Sequence, residues 1–121
     1  MMQSKIDYIP QWALDQISYV EKKASTWLDL NGHGRSEKLT KVPEKVANLT
    51  MLNTVILSGN HLTTVPSLLN ELPNLKLLNL SHNRLTVVPL WLANLPSLEK
   101  LYLHDNPIEL PPPGNIESKW E

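Results

Sequence analysis

Four histidines are the side chains of this chain best suited to chemistry, and two of them sit where a carboxylate can reach them. His82 and Asp105 are separated by 23 residues, as are Ser81 and His104. If that number is a structural period, each pair stands side by side on adjacent strands, about 4.8 Å apart. His82, His104 and Asp105 then gather on one surface, where they can bind a metal or tune a histidine. The plainer reading is a surface ion pair, or a polar contact with a partner. The sequence offers neither a third strong ligand nor a pocket, so no metal, cofactor or catalytic residue is assigned. Gly32-His33-Gly34-Arg35 lacks the lysine and hydroxyl residue that follow in a phosphate-binding loop. Cysteine is absent, and no serine stands in a nucleophile elbow or beside an identifiable base. The chain reads as a non-enzyme.

The period itself is plain. Asn60, Asn83 and Asn106 close the phrases Leu52-xx-Val55-x-Leu57-xx-Asn60, Leu75-xx-Leu78-x-Leu80-xx-Asn83 and Leu98-xx-Leu101-x-Leu103-xx-Asn106. Leu62, Val65, Pro66, Leu69 and Leu72 are answered by Leu85, Val88, Pro89, Leu92 and Leu95. A fixed period in the low twenties with this pattern is the signature of a leucine-rich repeat. Apolar alternation at Val55-Leu57, Leu78-Leu80 and Leu101-Leu103 marks a short strand with one buried face. Successive strands run the same way, so the sheet is parallel, and the Pro-containing half of each repeat is its return connection. The turn after each strand would bury backbone groups without partners. An Asn amide donates and accepts, so a stacked Asn column satisfies them. Proline at 66 and 89 can start a short helix or 3₁₀ segment, whose Leu69/Leu72 and Leu92/Leu95 point inward.

A degenerate coil precedes these three. Leu28-Asp29-Leu30 matches the strand, Leu39-xx-Val42-Pro43 the turn exit, and Val46 with Leu49 the convex pair. His33 replaces the ladder Asn, and residues 32–38 carry a four-residue, glycine-containing charged insertion; terminal repeats are expected to be atypical. Ahead of it, Ala13, Ile17, Val20 and Ala24 form a helical stripe widened by Trp12 and Leu14, with Asp7 and Pro10 as start signals. The expected organisation is a capping helix in 1–26, repeats in 27–113 and a tail in 114–121. The fold class is α/β: a leucine-rich repeat solenoid, a right-handed superhelix of about four coils with a parallel concave sheet. The tail is short, with only Ile116 or Trp120 to fold back. Its last coil is therefore a candidate for self-association.

A net charge of −1 without a basic stripe argues against nucleic acid as partner. No signal peptide or apolar span is visible, which argues against membrane insertion. Without cysteine there is no disulfide framework, and a cytoplasmic protein is expected.

The working surface is expected on the concave sheet. Its outward positions form one column of Trp27, Thr54, Leu77 and Lys100, and a second of Asp29, Ile56, Asn79 and Tyr102. A third holds Asn31, Ser58, Ser81 and His104. Trp27, Ile56, Leu77 and Tyr102 make an apolar centre; Asp29, Asn79, Lys100 and His104 make a polar rim. That is the anatomy of a protein-binding patch.

Residues 12–113 resemble intracellular leucine-rich repeat proteins of the L-xx-L-x-L-xx-N-x-L-xx-L/V-P type. The helix running into Leu28-Asp29-Leu30 is similar to the lead-in of bacterial arrays, including the repeat region of Roco-type GTPases. Asn106-Pro107-Ile108-Glu109-Leu110-Pro111-Pro112 looks like the close of such arrays. The resemblance implies a signalling or scaffold role in protein recognition. It also implies an alternative, a regulatory segment of a multidomain signalling enzyme.

Overall fold

The computed structural model describes residues 8–109. Helix α1 spans Gln11–Lys23. It is followed by strands β1 (Trp27–Asp29), β2 (Thr54–Ile56), β3 (Leu77–Asn79) and β4 (Lys100–Tyr102). The strands lie in sequence order in one parallel sheet. Three 3₁₀ segments, Glu44–Asn48, Ser67–Glu71 and Leu90–Asn94, alternate with them. Asp7, the Pro111–Pro113 run with Gly114, Ile116 and Trp120 lie outside the described residues.

The repeat explains why three-residue strands suffice. The coil-to-coil ladder continues past both ends of each strand. At the exit, Leu30, Leu57 and Leu80 N–H groups donate to the carbonyls of Ile56, Asn79 and Tyr102, each at 2.8 Å. At the entry, Asn53, Lys76 and Glu99 donate to Thr26, Asn53 and Lys76, again at 2.8 Å. Behind the sheet, Leu28, Val55, Leu78 and Leu101 are fully buried, as are Leu30, Leu57, Leu80 and Leu103. One continuous core joins them to Ala13, Ile17 and Val20 of α1.

On the convex side the apolar spacing decides the helix type. Leu69, Leu72 and Leu75 are three apart, as are Leu92, Leu95 and Leu98, and all are buried. A spacing of three fits the 3.0 residues per turn of a 3₁₀ helix, which eclipses these side chains on one inward face. The prolines stand one residue earlier than the sequence suggested. Pro43, Pro66 and Pro89 have extended ψ values of 138°, 121° and 147° and precede the first helical residue. Their carbonyls accept from Val46, Leu69 and Leu92 at 3.1–3.2 Å, so each supplies the first acceptor of its segment.

Helix α1 likewise begins on the Pro10 carbonyl, which accepts from Ala13 at 3.0 Å. Its apolar stripe is one residue shorter than expected. Ala24 is exposed and sits at the C-cap with φ 49°, where Ser25 N–H reaches back to Val20 O at 3.1 Å. Ala24 closes the helix in the left-handed conformation instead of packing under it.

The asparagine ladder also explains the odd first coil. Asn83 Nδ2 donates to Leu57 O at 2.9 Å and Leu80 O at 3.1 Å, while its Oδ1 accepts from Leu62 N at 3.0 Å. Asn106 and Asn60 repeat the pattern, with Asn60 serving Leu30 O and Leu39 N. Each Asn therefore binds its own strand exit and the coil before it. The first coil has no predecessor to serve, so His33 is tolerated at that place. Leu39 occupies the place of Leu62 and Leu85, and the inserted residues leave the register untouched.

Candidate protein-binding face

The strand register aligns the first two columns as expected. Trp27 pairs with Thr54, Thr54 with Leu77, and Leu77 with Lys100; Asp29 pairs with Ile56, Ile56 with Asn79, and Asn79 with Tyr102. Trp27 is 58% exposed, so α1 does not cover it. Asp29, Lys100 and His104 are exposed, and Ile56, Leu77, Asn79 and Tyr102 are half-buried. Trp27, Ile56, Leu77 and Tyr102 fall in alternate columns of successive coils and so trace a zigzag across the sheet. Diagonal neighbours on a sheet lie roughly 7–8 Å apart, within reach of large side chains.

Two polar members of the face also hold the backbone behind it. Asp29 Oδ1 accepts from Asn31 N at 2.9 Å. Asn79 Oδ1 accepts from Ser81 N at 3.0 Å and Ser81 Oγ at 2.7 Å. That second interaction corrects the third column. Ser58 and Ser81 are only 5% and 2% exposed, because the chain is already turning inward after the strand. Only the end members, Asn31 and His104, keep access to solvent. His104 is stacked edge-on between two rings, 5.2 Å from His82 and 6.4 Å from Tyr102.

At the N-terminal end the insertion builds a wall that sequence reasoning did not assign. Trp12 Nε1 donates to Glu37 O at 2.9 Å, and the Arg35 guanidinium lies 4.5 Å over the Trp12 ring. Tyr8 donates its hydroxyl to Glu37 Oε2 at 3.0 Å, which holds the phenol above its ordinary pKa. Lys38 Nζ closes the base of the loop on Gly32 O. Between this loop, α1 and the sheet lies an open cleft of about 550 Å³, lined by Trp12, Gln16, Asp29, Asn31, His33, Arg35 and Glu37. Asp29 thus belongs to both the cleft and the face. The available signal was the insertion itself, since a long surface loop in an otherwise regular array is a common carrier of function.

Sheet, ladder and 3₁₀ segments together define a leucine-rich repeat solenoid. Residues 50–108 match the leucine rich repeat family model. Among solved structures, a leucine-rich repeat protein of Leptospira interrogans is similar, with a TM-score of 0.65 and 28% identity over 84% of this chain. The chain spans about a quarter of that protein's length, 24%. No curated protein matches it. Arrays of this class typically serve as protein–protein interaction modules, because stacking leaves an extended concave surface. Among the described residues, no helix is long and apolar enough to cross a membrane.

Proposed function

We propose that the concave sheet binds a protein partner in the cytoplasm and catalyses no reaction. The observation that carries this reading is the zigzag of Trp27, Ile56, Leu77 and Tyr102, bounded by Asp29, Asn79, Lys100 and His104. A tryptophan more than half exposed on an ordered strand, with a tyrosine at the other end, has the composition of interface anchors. Burying such rings against a partner supplies the apolar driving force, and the flanking charges set orientation. The near-neutral net charge favours a protein over nucleic acid.

The test compares affinity capture on the wild type with capture on the Ile56→Ala/Leu77→Ala/Tyr102→Ala variant, after circular dichroism shows the variant folded. A protein retained by the wild type and lost by the variant supports the concave face. Equal retention by both contradicts it.

A second reading is favoured by one comparison, that the similar Leptospira chain is about three and a half times as long. On that reading the array is a regulatory segment of a larger signalling protein, such as a Roco-type GTPase. An immunoblot of native cells then shows a band well above 13.7 kDa. A band at the size of the chain alone counts against it.

A further inference from the structure

We propose that His82, His104 and Asp105 form a binding site for one divalent transition-metal ion, of the zinc and copper class, at the C-terminal rim of the sheet. One ligand atom from each residue can be chosen so that all three lie within 4.8 Å of one another. His82 Nε2 and Asp105 Oδ2 are already 3.2 Å apart. Ligands in a tetrahedral zinc site, with bonds of about 2.0–2.1 Å, stand roughly 3.3 Å from each other. The pair therefore already has the spacing of a bound site, and His104 offers a ligand atom within 4.8 Å of both.

The backbone places these side chains together. Gly59, His82 and Asp105 occupy the same place in successive coils, with φ values of 71°, 56° and 58°. The turn calls for a left-handed residue, and coil two meets this with glycine, which has no Cβ to strain. The next two coils put a histidine and an aspartate there instead. Both side chains consequently leave the stack in the same direction on neighbouring turns. His82 N–H donates to His104 O at 3.0 Å, so the third ligand is tied to the same pair of coils.

The rings are also braced. The space left by Gly59 admits the His33 ring, which a Cβ would meet at 2.8 Å. His33 crosses this gap to touch His82 edge-on at 5.1 Å, and His104 meets His82 at 5.2 Å. The sequence hides this arrangement, because it brings a ring from the first coil onto the third across the second. Two imidazoles with one carboxylate suit zinc, copper or nickel better than magnesium or calcium, which prefer all-oxygen sites. Three protein ligands leave a coordination position for water or an incoming side chain.

The experiment is a calorimetric titration of the full chain with zinc chloride. Saturation at one ion per chain is expected. His104→Ala and Asp105→Asn should each weaken binding roughly tenfold or more. His82→Gly should lose zinc yet melt at a higher temperature, because it restores the residue this turn prefers; that separates loss of a ligand from loss of the fold. His61→Ala should bind as the wild type does. His61 lies near Arg84 and Lys38, where burial and both cations lower its pKa. No uptake by the wild type overturns the proposal. So does undiminished binding by the His104, Asp105 and His82 variants, which leaves the cluster as a surface ion pair.

Discussion

A buried asparagine is costly to place and more costly to remove. Asn83 donates to the carbonyls of Leu57 and Leu80, which also accept from Asn60 and Asn106, and its Oδ1 alone meets the N–H of buried Leu62. Asn83→Ala is expected to cost about 2 kcal/mol, since the stranded Leu62 N–H carries its full desolvation penalty in a buried place. Asn106 makes the same bonds in the last coil but is only half-buried. Water can replace it there, so Asn106→Ala should cost about 1 kcal/mol. Urea denaturation of the two variants checks the difference; equal losses would mean that burial does not set the ladder's value. The sequence disclosed these residues because their role repeats. It did not disclose the burial of Ser58 and Ser81, because alternation along the strand stops applying once the chain curls at Ser81 toward Asn79. Nor did it disclose the His33–His82 contact, which depends on the empty space at Gly59.

At the scale of elements, the spacing of apolar residues selects the structure. Spacings of three gave 3₁₀ segments at 44–48, 67–71 and 90–94, and spacings of four and three gave the α1 stripe through Val20. The stripe was overextended by one residue, because Ala24 falls at the next helical position yet ends the helix. Its left-handed φ of 49° carries a steric cost for a residue with a Cβ. Ala24→Gly should therefore raise stability by about 0.5–1 kcal/mol, the relief being partly offset by the greater freedom of glycine in the unfolded chain. Thermal melting measures this, and a lower midpoint would mean that the cap is not strained. The insertion at 32–38 was legible as an irregularity but not as a wall. Its docking depends on Trp12, 25 residues from Glu37 in sequence, and no periodicity links the two.

Over the whole molecule, the repeat fixes which residues share the concave face. The register follows from the period, so the columns from Trp27 to Lys100 and from Asp29 to Tyr102 are legible in the sequence. Regularity breaks at the first coil, and there the cleft appears. A repeat array derives its stability from neighbouring coils, which leaves the outward face free to vary without unfolding the chain. Folding therefore constrains the outward side chains of Ile56 and Leu77 little, and on the proposed reading these are what a partner buries. The most direct test places a photo-crosslinking amino acid at Ile56 or Leu77 on the sheet, and at Asn70 or Glu71 on the convex side, in the native cell. Adducts of one defined mass from the sheet positions alone are the predicted result; adducts from the convex positions alone, or equally from both sides, would contradict a concave binding face.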